Sequence, residues 1–582
     1  MNMTVSEYIF DFLQKQGCKT VHMVSGSSAM FLTDALKRNT NLLPVCCQHE
    51  QAAAMAADAV GRLSDAPGVA LVTIGPGATN AITGVAGAYV DSSPVVILSG
   101  QASSPICRYQ EETRIRQKGT QSIRLENMTK DITKYFVMLT DPAETRYHIE
   151  RAYYEATHGR KGPVWLDVPV DIQNRQVPED MEGFSPQEEK RPEIPAEEIA
   201  ALLKKAQRPL ILAGQGILLS RTQEELLALA ERQEIPVAVS RDGIGAMPSD
   251  HPLFAGRPGS YGDRPSHFAV SDCDFLLILG SRLAVSTVGY YPQRFAEKAK
   301  KVMVDIDAAE LARRDVPVDL AVHADLRDFF PAMEKVLTEE TEHKAWVEKI
   351  HADQKKYPVV LPSYAEEDGI NSYFFTKKLS AHVPEHDTIV VDTGSVCNVA
   401  SQAFELKKGQ NWLISGGLSA MGYWAASLGA ASCGKETVAL TGDGSAQMNI
   451  QEFATLSYYK LPVKVIVYNN HGYLLIRHNQ HNYMDDRFLG VGPDSGVPAV
   501  DFCRVAAAYD LPAVCIAAKE EIDEKLEALF QIEGPAVCEV MVQEFGILAP
   551  RIASRVMPDG SLKAAEFDDL WPFLDHEETP EK

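Results

Sequence analysis

The sequence predicts an α/β protein of three doubly wound parallel-sheet domains. Three observations carry that expectation. Short apolar runs alternate with helix-length segments almost throughout, the pattern of βαβ units. Two polar stretches interrupt the rhythm, one at 177–195 (VPEDMEGFSPQEEKRPEIP) and one at about 343–367, and both read as linkers. The 582 residues, 45% of them hydrophobic, exceed what one core holds. The expected domains are 1–180, 190–340 and 365–545, followed by a tail at 546–582.

Each strand is read from a short apolar, β-rich run next to turn residues or a helix-length segment. The first third offers Leu42–Cys47, Val69–Thr73 and Val95–Ser99. The middle offers Leu210–Ala213, Val237–Ser240, Phe275–Leu279 and Val302–Asp305. The last third offers Ile389–Asp392, Val438–Thr441 and Val463–Tyr468.

The formal net charge is −23, which disfavours a nucleic-acid partner because an acidic surface repels phosphate backbones. The opening MNMTVSEYIFDFLQKQG lacks the basic and apolar regions of a signal peptide. No run of about 18 apolar residues occurs, so no membrane span is expected. The ten cysteines are scattered without a CxxC pair, and Cys46–Cys47 read as core thiols. A cytoplasmic location fits best.

The most specific signal is Gly442-Asp443-Gly444, followed after 24 residues by Asn469-Asn470. The context is a strand (ETVAL), the turn, a helix (SAQMNIQEFATLSYYK), a second strand (VKVIVY) and the asparagine pair. Asp443 and Asn470 therefore end two parallel strands of one βαβ unit, where open α/β sheets bind ligands. A carboxylate and an amide oxygen are hard donors suited to Mg²⁺. Gly442 and Gly444 let the backbone approach a diphosphate, and the helix N-terminus that follows favours its charge.

This segment closely resembles the thiamine-diphosphate enzymes. The resemblance implies Asp443, Asn470 and the Gly472 carbonyl as metal ligands. It implies Ser445, Tyr473 and Leu474 as further cofactor contacts, and Gly394-Ser395 after IVVDTG as another diphosphate contact. Gln48-His49-Glu50-Gln51-Ala52-Ala53 and Gly75-Pro76-Gly77-Ala78-Thr79-Asn80 resemble the pyrimidine-binding domain of the acetohydroxyacid (acetolactate) synthases. In that family a glutamate hydrogen-bonds the thiamine pyrimidine ring and promotes loss of the thiazolium C2 proton. Glu50 takes that role here, with Gly75 and Asn80 beside the cofactor. Alone, Glu50 would read as a helix N-terminal glutamate stabilised by the dipole. His49 reads as structural. Met421, in SGGLSAMG, matches the bulky residue beneath the bent cofactor. Gln121, in GTQSI, aligns with a glutamine that reaches the reacting centre from a neighbouring subunit. The resemblance thus implies residues 1–180 as the pyrimidine domain, a central Rossmann-like domain, and residues 365–545 as the diphosphate and Mg²⁺ domain. It also implies at least a homodimer, or a homotetramer.

Three departures concern the substrate. Acetolactate synthases carry G-x-R-F-D-D-R, whose second arginine grips the acceptor carboxylate; here Gly280–Ser286 keeps Arg282 but places Ser286 at that position. Their tryptophan beyond the asparagine pair aligns with Asn479. The paired histidines of simple decarboxylases are missing around Ser103–Arg108. The blocks 25–36, 116–135, 490–502 and 554–574 resemble acetolactate-synthase-like proteins of bacterial surface-polysaccharide synthesis. That branch implies transfer of an acetyl unit from pyruvate to a nucleotide-linked keto-deoxysugar. AGQGI (213–217), ILGSR (278–282) and VDID (304–307) give the middle third a Rossmann-like rhythm. The family binds FAD there, which would place Arg282, Asp305 and Asp325 at the flavin, although a bare β–α turn also explains AGQG. The alternatives are acetolactate synthase itself, a 2-oxo acid decarboxylase or lyase, and a catalytically inactive binding or regulatory relative. Retention of Glu50 and Asp443 speaks against the last.

Overall fold

The computed structural model describes residues 3–187, 192–556 and 562–574. Residues 188–191 of the first expected linker, and 557–561 and 575–582 of the tail, lie outside the described residues.

Three parallel six-stranded sheets follow one another along the chain. The first contains β1 (Thr20–Met23), β2 (Leu43–Cys46), β3 (Gly68–Val72), β4 (Val95–Gln101), β5 (Tyr135–Met138) and β6 (Pro163–Pro169). The second contains β7 (Pro209–Ala213), β8 (Val237–Val239), β9 (Phe254–Gly256), β10 (Phe275–Leu279), β11 (Lys300–Asp305) and β12 (Leu320–His323). The third contains β13 (Thr388–Val391), β14 (Asn411–Ile414), β15 (Thr437–Gly442), β16 (Val463–Asn469), β17 (Ala513–Ile516) and β18 (Ala536–Met541). All ten expected strands are present, within a residue or two at their ends.

Eight more strands of these three sheets escaped sequence reading, as did the short antiparallel pair Ser554–Val556 and Leu562–Ala564. Five of them, β5, β9, β12, β14 and β17, are short sheet edges. The inner β1, β6 and β18 carry His22, Asp167 and Glu539 inside otherwise apolar runs. The expected linker at 343–367 is corrected: Lys344–Lys356 is a helix that buries Trp346 and Ile350. The single helix expected after Asp443 is broken into Asp443–Ala446, a 3₁₀ segment Gln447–Glu452 and Phe453–Tyr459, with Asn449 at φ −153°. Of the two expected core thiols, Cys47 is buried but Cys46 is exposed, because β2 lies at a sheet edge.

Strand order reveals where ligands belong. The first sheet runs β2-β1-β3-β4-β6-β5 and the third runs β14-β13-β15-β16-β18-β17, the same order. The second runs β12-β11-β10-β7-β8-β9, the order of dinucleotide-binding sheets. The order reverses between β1 and β3, between β7 and β10, and between β13 and β15, and ligands bind beyond the carboxyl ends at such points.

The units share their cores. The helix Glu50–Leu63 buries 12 of its 14 residues. Its alanine-rich surface is small enough for neighbours to approach on several sides. A Cβ at Gly84 would lie 2.6 Å from the Ala54 Cβ, and one at Gly429, in the third unit, 1.9 Å from the Ala56 oxygen. Among the described residues no helix is long and apolar enough to cross a membrane.

Candidate active site

The third sheet reverses between β13 and β15, and the residues that follow these strands converge there. Gly394 adopts φ +91° and opens the helix Ser395–Ala403, with free space where a side chain would stand. Asp443, Gly444 and Ser445 are buried at the start of a helix directly after β15. The Tyr473 ring lies over Gly444, where a Cβ would sit 2.2 Å from Cε1. Asn470 follows β16. Gly472 adopts φ +141°, and a Cβ there would lie 2.0 Å from the Val491 oxygen, so only glycine fits. Leu474 is buried and begins the helix Leu474–Tyr483.

Two side-chain oxygens of this corner are suited to a cation. Asp443 Oδ2 accepts from Gly472 N at 2.7 Å. Burial pushes its carboxyl up to about 6, against the backbone N–H groups of Gly472 and Gly444. Among the described residues Asn470 Oδ1 is buried without a hydrogen-bond partner. A buried acceptor left unpaired is costly, and a bound cation removes that cost. A carboxylate and an amide oxygen in this state fit Mg²⁺. The Arg477 guanidinium braces the turn through the carbonyls of Asn470, His471 and Val491, at 3.2, 2.9 and 3.0 Å.

Two residues missed in the sequence hold this corner together. Asp392, fully buried, accepts from Thr393 N (2.8 Å), Tyr423 N (3.1 Å), Trp424 N (3.3 Å) and Thr441 Oγ1 (2.9 Å). It thereby joins β13, the segment after Met421 and the end of β15. A carboxylate closing the apolar run IVV was the available signal. Asn449 donates to the Gly422 oxygen at 3.0 Å, which accounts for the break in its helix. Met421 itself is half-buried.

Glu50 lies in the first unit, at the first residue of its helix and 8% exposed. Asn80 Nδ2 donates to its Oε2 at 3.0 Å. A Cβ at Gly77 would stand 3.3 Å from its Oε1, so the Gly75–Gly77 turn leaves room for the carboxylate. Gly75 adopts φ +62° and is covered by the backbone of Gln121, whose oxygen would lie 2.5 Å from a Cβ. Gln121 is exposed. Ahead of Glu50, His49 caps the helix by accepting from Gln51 N at 3.2 Å. A further residue missed in the sequence, Glu452 of the third unit, accepts from both Gln48 N and His49 N at 2.9 Å. Two groups therefore form, one around Glu50 and one around Asp443. Among the described residues no hydrogen bond joins Glu50 or Asn80 to the Asp443–Asn470 corner.

The second sheet bears a cleft of about 880 Å³, open mouth included, where its order reverses. Arg282, Asp305 and Asp325 all line it, with Arg160 and Arg327. Burial pushes the Asp305 carboxyl up to about 6. Arg160 pairs with Asp307 and Glu310 at 2.8 Å each. The AGQG glycines have a packing reason: Cβ atoms at Gly214 and Gly216 would lie 2.2 and 2.6 Å from Gly280 backbone atoms.

Sequence comparison decides the family. Residues 3–126 match the N-terminal TPP binding domain of thiamine pyrophosphate enzymes, 196–333 their central domain, and 392–540 their C-terminal TPP binding domain. A probable acetolactate synthase large subunit of Methanocaldococcus jannaschii is 32% identical over 98% of this chain and 99% of its own. The chain belongs to the thiamine-diphosphate-dependent, acetolactate synthase-like enzymes. The acetolactate synthase isozyme 1 large subunit of Escherichia coli is 29% identical over 93% of this chain and 94% of its own. The chloroplastic acetolactate synthase of Arabidopsis thaliana is 30% identical over 94% and 83%. Within this acetolactate synthase-like enzyme, Arg282 is fully engaged: it donates to the Val90 oxygen at 2.7 Å and pairs with Asp242 at 2.9 Å. Ser286 lies in the helix Val285–Val288, and its carbonyl accepts from Ser260 N at 2.8 Å. Asn479 is exposed on the Leu474–Tyr483 helix.

Proposed function

We propose that the protein is a Mg²⁺-assisted carboligase that takes an acyl unit from a 2-oxo acid, pyruvate, and joins it to a carbonyl acceptor. The carrying observation is the buried Asn470 oxygen, without a hydrogen-bond partner among the described residues, beside Asp443 at the switch point of the third sheet. Asp443, Asn470 and the Gly472 carbonyl hold the metal. Gly394, Ser395, Gly442, Gly444, Ser445, Tyr473 and Leu474 enclose the diphosphate, and Met421 supports the cofactor from below. Thiamine diphosphate supplies the electron sink for decarboxylation and carbon–carbon bond formation. Glu50 holds and moves a proton at the pyrimidine ring, positioned by Asn80 and by the turn at Gly75. Gln121 faces the reacting centre. Residues 1–180 serve the pyrimidine, 190–340 form the central domain, 365–545 serve the diphosphate, and 546–582 form a tail. The family resemblance assigns the complete site to a homodimer or homotetramer, and the absence, among the described residues, of a hydrogen bond between the Glu50 and Asp443 groups fits that reading; the scattered cysteines fit a cytoplasmic location. The size of the central cleft and its place at the switch point of the second sheet support FAD as its ligand.

The names of the relatives favour a second pyruvate as acceptor, giving acetolactate. A second reading, a nucleotide-linked keto-deoxysugar, is favoured by a specific surface. Residues 111–118 are exposed without interruption, in the segment that leads to Gln121. Arg108, Arg114, Arg116, Lys118 and Arg124 cluster there in a chain of net charge −23. Among the described residues only Arg114 of the five has an ion-pair partner, Glu111 at 2.8 Å. Phosphates suit such cations, and Ser286 offers a carboxylate no guanidinium.

The test is incubation with thiamine diphosphate, Mg²⁺ and pyruvate, following CO₂ and acetolactate. Equivalent formation of both supports the synthase. Slow CO₂ release that quickens with a keto-sugar nucleotide supports the second reading. Aldehyde as the sole product would mark a decarboxylase, and absence of turnover would remove pyruvate as donor.

A further inference from the structure

Asp91 lies just beyond the helix Pro76–Val90 and is 2% exposed. It belongs to the first unit, yet its carboxylate is spent on the third. Gly416 N donates to Oδ2 at 2.9 Å and Gly417 N donates to Oδ1 at 2.7 Å. Two successive backbone N–H groups are thus held by the two oxygens of one side chain. The Gly-Gly pair is what permits this approach. A Cβ at Gly416 would stand 2.0 Å from Asp242 Oδ1, and one at Gly417 2.7 Å from Val90 Cγ2 and 3.0 Å from Asp91 Oδ1.

The second unit locks the same contact. Arg282 approaches Asp91 at 3.5 Å while bonded to Asp242 and to the Val90 oxygen. Arg241 donates to the Gly416 oxygen at 3.0 Å. Both polar groups of the Gly416 backbone are therefore fixed, one from each neighbouring unit. At the far end of the segment, Gly422 is held by Asn449 through its oxygen and adopts φ +87°. Between these two anchors stands Met421, with Gly417, Leu418 and Ser419 exposed.

We propose that Asp91 is a positioning residue of the active site: by gripping the N–H groups of Gly416 and Gly417 it sets where Met421 stands against the cofactor. The inference rests on the thiamine diphosphate reading of this site. A carboxylate is required because both acceptors are used at once. In an Asp91→Asn variant one oxygen becomes an NH₂ that faces a backbone N–H, so one anchor becomes repulsive while volume is unchanged.

The experiment compares the wild type, Asp91→Asn and Gly417→Ala as full chains with thiamine diphosphate and Mg²⁺. Cofactor binding is measured by calorimetry, the bound cofactor by its near-ultraviolet circular dichroism, kcat and KM with pyruvate, and the fold by thermal melting. Asp91→Asn is expected to keep its fold, to alter the dichroism of the bound cofactor, and to lower kcat by about 10²-fold with a much smaller change in KM. Gly417→Ala, which displaces the same N–H from the other side, is expected to do the same and decides the matter if Asp91→Asn does not fold. Unchanged kcat and dichroism, or a loss of melting temperature alone, would overturn the positioning role. Failure of the wild type to bind thiamine diphosphate would instead overturn the cofactor reading.

Discussion

Replacing Glu452 by glutamine should stabilise the protein at pH 8 and leave it nearly unchanged at pH 5. Glu452 is fully buried. One carboxylate oxygen accepts from Gln48 N and His49 N, and the other accepts from Thr455 Oγ1 at 2.7 Å. Burial nevertheless pushes its pKa up from 4.5 to about 7, with those three hydrogen bonds opposing. A carboxyl whose folded pKa is raised favours the folded state while protonated. Its stabilisation is complete below the unfolded pKa of about 4.5 and disappears as pH rises to about 7. At about 1.4 kcal/mol per pKa unit, the loss above pH 7 is roughly 3 kcal/mol. Glutamine carries no charge, keeps the oxygen that accepts the two backbone N–H groups, and lets the Thr455 hydroxyl turn to accept. An unfolding entropy of about 2.1 cal/mol/K per residue, for a chain that melts as one unit, turns roughly 3 kcal/mol into a rise of ~3 °C. Differential scanning calorimetry of both forms at pH 5 and pH 8 measures it. A lower melting temperature at pH 8, or the same shift at both pH values, would refute the reasoning.

Glu50→Gln should lower turnover by about 10²–10⁴-fold while calorimetry finds thiamine diphosphate still bound; unchanged turnover would end the proton role of Glu50. Asn470→Ala should weaken Mg²⁺-dependent cofactor binding by about 10²-fold, and a chelator should release the cofactor from the wild type. Cofactor that stays bound in the chelator would refute the metal assignment. Gly429→Ala places a Cβ 1.9 Å from the Ala56 oxygen and should cost about 1–3 kcal/mol, read as a lower melting temperature. An unaltered melting temperature would mean that the two helices part freely there.

The legible part of this protein was local. Gly442-Asp443-Gly444 and Asn469-Asn470 sit in one βαβ unit, so their spacing alone placed both oxygens at neighbouring strand ends. The place of Glu50 at the start of a helix was legible locally, but its role was read only from the resemblance of its block to the pyrimidine-binding domain. Strands such as β7 and β10, buried on both faces, showed as unbroken apolar runs. The illegible part depended on distant contacts. Glu452 reaches Gln48 across 404 residues, and Asp91 reaches Gly416 across 325. No pattern in the neighbourhood of either residue announces its partner. The break at Asn449 arises likewise from the Gly422 carbonyl, 27 residues away, overriding a helix that local propensity favours. The Lys344–Lys356 helix was hidden by its composition, since only Trp346 and Ile350 of its residues are buried.

The Glu50–Leu63 helix also governs how this enzyme could be recombined. Its alanine faces fit the first sheet's own neighbour at Gly84 and the third unit at Gly429, while Glu452 ties down the chain just ahead of it. A chimera that takes residues 1–180 from one relative and the remainder from another would break a three-way fit. Gly429, Glu452 and the Gly416–Gly417 pair must travel with the helix and with Asp91 as one inherited block. The seams of this chain, for evolution or for an engineer, therefore do not follow the polar stretches between its sheets.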